Sequence, residues 1–230
     1  MYIVPAHVFN PDPVQAGIAE RVISGGTAIN GEETVIQPDG GGRWEITWGE
    51  IDLDDRYRQR LWDAWQAEFA GGANRVLVPV LSLDTAPHPV AAGGLMTPSD
   101  IVADDDWFPT EVGFSSPYIE AETVGAALLR ATEITINVTR GARLTPGMTF
   151  GIGTTRAHKI RRITSATGQV ATCIISPPLR APVDDATPLN FDWPTVQCRV
   201  AIGQNLIPNI SLGLHGTISV QFVEDFTSGE

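Results

Sequence analysis

Trp44, Ile46 and Trp48 alternate with Glu45, Thr47 and Gly49. A period of two is what a strand shows when one face lies in a core and the other meets water. The run 43–53 is therefore expected to be a half-buried strand. Shorter β-like runs at 19–24 and 34–37 precede it, separated by Gly25-Gly26, Asn30-Gly31 and Asp39-Gly40-Gly41-Gly42. Asn-Gly predicts a tight hairpin, because both central positions of a type I′ turn need positive φ. Residues 1–16 are rich in proline and read as an extended arm.

Beyond Leu53 the period changes. Tyr57, Leu61, Trp65 and Phe69 recur every four residues, flanked by Trp62, which predicts a helix with one aromatic stripe packed on the sheet. Asp54 is the expected N-cap, and Asp55 the acid in the first turn, where the positive helix end favours it. Gly71-Gly72 is the expected stop, since glycine accepts the left-handed conformation of a helix C-terminus. A short strand at 75–81 follows. Trp62, at the edge of the stripe, is the candidate to meet a neighbouring subunit, because interfaces favour tryptophan.

Residues 84–122 are loop-rich, with prolines at 87, 89, 98, 109 and 117. A connection of that length is usually functional or an interface element. Short β runs then return at 133–139, 148–152, 158–164 and 170–175, punctuated by Gly141, Pro146-Gly147, Gly153 and Gly168. Strands so short and so closely spaced predict a small barrel or sandwich. Long strands resume at 196–203 and 217–223. The chain thus reads as mainly β. One β-sandwich or barrel domain with a packed helix is built from residues 1–122 and 189–230, and a small β-barrel at 123–188 is inserted into it.

Charge adds a second kind of order. The net charge is −12, yet the 50 residues Ile134–Val183 contain no acid and the 54 residues Val76–Leu129 contain no lysine or arginine. Blocks of opposite sign suggest two surfaces with different neighbours, as in a part of an assembly. Overall acidity disfavours general binding to nucleic acid or anionic membranes. The apolar runs are too short to span a bilayer, and the start has no basic segment followed by an apolar one, so neither membrane insertion nor a secretory signal is expected. Cys173 and Cys198, each in a strand-like run, are expected to be buried free thiols.

Candidate chemistry is sparse. Asp184-Asp185 could be read as a hydrolytic carboxylate pair, but such pairs must face each other across about 5–10 Å, and adjacent residues in a proline-bounded turn point apart. The four histidines show no ligand spacing, and Gly151-Ile152-Gly153 lacks the context of a dinucleotide loop. Asp104-Asp105-Asp106 lacks the alternating ligands of a calcium loop and reads as a solvated acidic loop. No enzyme activity, metal or cofactor is expected. The acid-free block has only Phe150 as an aromatic besides His158, too few for a single-strand binder that stacks bases. Its cations Arg156, Lys159, Arg161 and Arg162 are shared between both strand faces. They are the candidate contacts to an acidic neighbour, for which the 76–129 block of an adjacent subunit is suited.

Several stretches carry a resemblance when taken together. GRWEITW followed by RLWDAWQAEFAGGANRVLVPV resembles the tryptophan strand, helix and following strand of distal tail proteins of long-tailed phages, prophages and gene transfer agents. LTPGMTFGIGTTRAHKIRRIT and ATCIISPPLRAPVDDATPLNF are similar to their second module. The resemblance covers roughly residues 30–81 and 130–200. It implies a tail-tube-like domain forming a hexameric ring at the virion tail tip, assembled in the bacterial host cytoplasm. Such a ring joins the tail tube protein to tail hub and tip proteins, and DNA passes its channel without specific binding. In that setting Asp104, Asp105 and Asp106 are a candidate acidic channel lining or interface loop, since carboxylates repel phosphate. The family brings no catalytic residues. Two other readings stand beside it: another tail-tube or hub subunit, and a carbohydrate-binding module using Trp107, Phe108, Tyr118 and Trp193.

Overall fold

A computed structural model describes residues 1–36, 41–81, 90–91, 94–95, 119–141, 143–211 and 215–226. The protein is mainly β, with two compact units: Met1–Ser82, Thr154–Arg156 and Thr195–Glu230 form one, Leu83–Gly153 and Ala157–Pro194 the other. In chain order the first unit begins with a short helix α1 (Ala6–Phe9), then β1 (Asp12–Ala19), β2 (Ile23–Thr27), β3 (Glu33–Ile36), β4 (Arg43–Leu53), α2 (Arg56–Phe69) and β5 (Val76–Pro79). After β6 (Val90–Ala91) and β7 (Gly94–Leu95) come β8 (Glu120–Thr123), β9 (Glu133–Arg140), β10 (Thr149–Ile152), β11 (Arg156–Thr167), β12 (Val170–Ser176) and β13 (Pro188–Asn190). The chain ends with β14 (Thr195–Val200), β15 (Asn209–Ile210) and β16 (Gly216–Glu224). Among the described residues no helix is long and apolar enough to cross a membrane.

The first unit is built on a sheet ordered β1-β4-β16-β14-β5, with β15 added to β16. β4 behaves as its alternation predicts: Trp44, Ile46 and Trp48 are fully buried. Beyond Trp48 the strand gains a residue relative to β16, since Ile51 pairs with Ile218 and Trp48 with Val220. That bulge turns Ile51 and Leu53 to the same core. The proline-rich start is not an extended arm. Phe9 of α1 is buried, and β1 pairs along β4 from Asp12↔Glu50 to Ala19↔Arg43. Pro13 is tolerated there because β1 is an edge strand and an edge has fewer ladder bonds to lose. Ahead of it, Tyr2–Val4 covers the opposite edge, with Val4 N–H donating to Leu77 O at 2.9 Å and Leu77 N–H to Tyr2 O at 3.0 Å.

Helix α2 starts one residue later than expected. Asp55, not Asp54, is the N-cap, and its carboxylate accepts from the backbone N–H groups of Tyr57 and Arg58. Asp54 instead pairs with the Arg58 guanidinium at 2.9 Å. The stop also shifts, with Ala70 in the left-handed C-cap conformation ahead of Gly71. The buried face differs from the expected stripe: Trp62 and Phe69 are fully buried, while Tyr57 is 67% exposed. Phe69 packs edge-on against Phe222 of β16 and Trp62 edge-on against Phe9, with ring centroids 5.7 and 5.5 Å apart.

The second unit holds a closed barrel, β10-β11-β12-β9-β8-β13. Its strands run from Glu120 to Asn190. Alternating residues such as Ile134, Ile136 and Val138 on β9 and Ala171, Cys173 and Ile175 on β12 fill its interior with Phe150 and Phe191. Closure leaves no open edge in this sheet, which removes a site of unwanted strand pairing.

Candidate functional site

The expected interface residue Trp62 has no exposure at all. Its indole N–H donates to the Leu206 carbonyl at 3.0 Å within its own unit. An aromatic ring this enclosed, with its polar handle already bonded, is core, and the interface assignment from its position at the stripe's edge is corrected.

The surface of the first unit offers a different feature. β2 and β3 form a two-stranded sheet of their own, and every residue of both strands is exposed. Val22, Ile23, Ile29, Val35 and Ile36 stand among the exposed large hydrophobics. The hairpin turns at Asn30-Gly31 as expected, but only Gly31 of the pair has positive φ, 84°, and Gly31 N–H donates to Ala28 O at 2.8 Å. The type I′ expectation is therefore corrected, because one left-handed residue is enough for this longer turn. Gly25-Gly26 lies inside β2 and not between strands, and Gly26 takes φ of 92° where the ladder skips between Ser24 and Thr27.

Next to the hairpin in sequence is β1, which has a strand partner only in β4 among the described residues. A shallow groove of about 620 Å³ runs along it, lined by residues 14–19 with Glu45, Thr47, Leu81 and Gln221.

A buried charge cluster sits at the end of β16. Asp225, 4% exposed, receives Arg75 Nε–H at 2.7 Å and a bond from the Arg199 guanidinium on the same carboxylate oxygen. Glu224, also buried, accepts the Trp44 backbone N–H at 2.8 Å. Burial together with the Glu224 and Asp225 charges pushes the Cys198 thiol well above its ordinary value. Cys173, in the barrel core, is pushed up by burial to about 11. Both cysteines are free. The sequence reading missed the Asp225 cluster, and nothing in the local pattern could have revealed it, because its members come together only through sheet pairing.

The predicted cations separate. Arg156 and Lys159 are half-buried, and burial draws the Arg156 guanidinium below its ordinary value. Arg161 and Arg162 are both exposed. Ile160 pairs with Ile175 and Arg162 with Ile174, so Arg161 is the extra residue of a bulge. A bulge suspends alternation, which puts two successive arginines into solvent where strict alternation would have divided them. Asp104, Asp105 and Asp106, like Trp107, Phe108 and Tyr118, lie outside the described residues. Trp193 is partly exposed in a turn held by Asn190, whose amide oxygen accepts the Asp192 and Trp193 N–H groups at 3.0 Å.

Asp184 and Asp185 form a turn. The Asp185 carboxylate accepts Gly125 N–H at 2.6 Å, and the Asp184 carbonyl accepts the Thr123 and Thr187 hydroxyls at 2.8 Å. His158 is buried with Nδ1 2.8 Å from Pro177 O. Among the described residues no three His, Cys, Asp or Glu side chains gather as a metal site would need.

The second unit carries a cleft of about 470 Å³ at one end of the barrel. It is bounded by the end of β9, by Gly141, Arg143 and Leu144, and by the β11–β12 turn at Gly168-Gln169. Val138, Leu144, Ile163 and Ala171 supply apolar surface, and Arg143 is the one charged side chain among the described lining residues. In comparisons with known proteins, no family model matches the chain and no curated protein matches it.

Proposed function

We propose that this chain is a non-enzymatic structural subunit of a phage-type virion tail tip. Six copies form a ring at the distal end of the tail, joining the tail tube to the hub and tip proteins and leaving a channel for DNA. The observation that carries this reading is the β2–β3 hairpin. An isolated two-stranded hairpin is marginally stable in water, and one that exposes Val22, Ile23, Val35 and Ile36 is suited to packing against another chain. The edge of β1, which pairs with β4 alone among the described residues, supports the same reading, since long open edges invite pairing. A head-to-tail contact between different patches of successive copies closes into a ring when its rotation divides the circle. The similarity of GRWEITW and of RLWDAWQAEFAGGANRVLVPV to distal tail proteins supplies the setting.

The test is light scattering and negative-stain electron microscopy of purified protein at low and high salt, alone and with purified tail tubes. Six-fold rings with a central hole, free or capping the tubes, are expected. A protein that stays monomeric and leaves tube ends bare would overturn the proposal.

A further inference from the structure

The barrel cleft has a chemistry of its own. Val138, Leu144 and Ala171 are nearly buried and Ile163 partly so, giving an apolar floor, while Arg143 is exposed at its rim. No acid lies between Ile134 and Val183, and the described lining residues of the cleft include no carboxylate beside that guanidinium. The volume, about 470 Å³, falls in the range of roughly 300–1,000 Å³ typical of ligand sites. No aromatic side chain appears among the described lining residues, and Phe150, the nearest candidate in the sequence, is fully buried in the barrel core. Stacking of nucleobases requires exposed rings, so the cleft does not suit a nucleic-acid strand. It suits a ligand that brings its own apolar rings and its own negative charge.

This chain contains such a ligand. Between Val76 and Leu129, a stretch with no lysine or arginine, three consecutive acids run directly into two aromatics: Asp104-Asp105-Asp106-Trp107-Phe108. We infer that the barrel cleft is a docking site for the acidic–aromatic segment 103–108 of a second copy of this chain. Trp107 and Phe108 fill the apolar floor, and the three aspartates lie toward Arg143. Aromatic anchors in a pocket with charges at its rim are the usual division of labour in peptide recognition, the anchor giving affinity and the rim giving orientation. The inference rests on the ring reading in that copies of the chain must meet, and it assigns one contact between them.

The experiment uses a fluorescein-labelled peptide of residues 101–110 and the full-length protein carrying Trp107→Ser and Phe108→Ser, so that the chain's own segment does not compete. Fluorescence anisotropy should show saturable binding. Arg143→Glu in the protein should raise Kd at least tenfold, as should Ala166→Trp, which fills the cleft from an exposed lining position without changing charge. A peptide with all three aspartates changed to asparagine should lose a similar factor, and binding should weaken as salt rises. No saturable binding would overturn the inference, as would binding indifferent to both protein variants. Rings seen by microscopy without peptide binding would sink the cleft and spare the ring. Cleft binding by a protein that neither forms rings nor caps tubes would do the reverse.

Discussion

Arg75 donates its Nε–H to a carboxylate oxygen of Asp225 at 2.7 Å, joining the start of β5 to the end of β16 across 150 positions of sequence. Arg199 shares that oxygen, and the Asp225 backbone is held as well, its N–H donating to Gln197 O at 2.9 Å. One buried carboxylate therefore ties three segments of the first unit. Removing it leaves two guanidinium groups without this partner. A hydrogen bond to a charged group contributes about 1.5–3 kcal/mol, and both arginines are roughly a third exposed, so solvent recovers part of the loss. Asp225→Ala is expected to lower stability by about 2–3 kcal/mol, read from the urea midpoint. A midpoint equal to that of the unaltered protein would show that the cluster contributes nothing to folding.

The hairpin separates assembly from stability. Val35 and Ile23 are exposed, and surface substitutions generally change stability by less than about 0.5 kcal/mol. Ile23→Lys with Val35→Asp should therefore leave the melting transition in place while abolishing rings or tube capping in electron micrographs. Normal rings from this double variant would remove the hairpin from the interface.

The arginine pair at the bulge makes a salt-dependent prediction. Arg161→Glu with Arg162→Glu reverses two exposed charges in an acid-free region and should weaken assembly, most visibly at low ionic strength, where surface charges are least screened. Sedimentation at two salt concentrations reads this. An assembly indifferent to both the salt and the reversal would show that these arginines do not meet an acidic neighbour.

Gly72 makes a steric prediction. Its φ is +96°, and a Cβ there would lie 2.5 Å from the Val200 carbonyl oxygen, a backbone atom that cannot rotate away. Gly72→Ala combines a left-handed strain with a clash and is expected to cost on the order of 1–3 kcal/mol. Gly71→Ala is the control, since its Cβ would meet nothing within 4 Å although φ is +65°. Thermal melts should place the Gly72 variant well below the Gly71 variant, and equal melts would contradict the close approach.

The thiols supply a pH dependence. With folded values above the ordinary one, Cys173 and Cys198 stay protonated in the native state while the unfolded chain loses those protons from about pH 9 upward. The unfolded state then binds fewer protons, so stability falls as pH rises. The contribution is complete below about pH 9, and that of Cys173 is lost by about pH 11. Urea unfolding at pH 8 and pH 10.5 should show a decline that Cys173→Ala reduces. At pH 8 the native protein should also resist an aromatic disulfide reagent that reacts with both thiols once the chain is unfolded.

Patterns of period two were legible wherever a strand had one wet face and one dry one. Trp44, Ile46 and Trp48 announced β4, and the short runs between Gly141 and Gly168 announced the barrel strands, because burial on alternate sides is written directly into neighbouring residues. The helix was legible as a helix for the same reason, but its buried face was not. Residues four apart advance by about 40° around a helix of 3.6 residues per turn, so Tyr57 and Phe69 lie about 120° apart and cannot share one core. Phe9 and Phe222, which come from distant segments, favour the line through Trp62 and Phe69.

Sheet order set the meaning of the rest. Pro13 reads as a loop residue until β1 is placed at an edge, where its missing N–H does little harm. Ile23 and Val35 read as parts of short β runs until their hairpin is found, among the described residues, beside no other strand. Arg161 and Arg162 read as opposite faces until a bulge intervenes. Asp225 looks like any terminal acid until β5 and β14 bring Arg75 and Arg199 to it. Local sequence records which side of an element is apolar, because that preference is carried by adjacent residues. Which side chains then meet depends on hydrogen-bond register between strands far apart in the chain, and single-residue bulges change that register without leaving a mark in composition or charge.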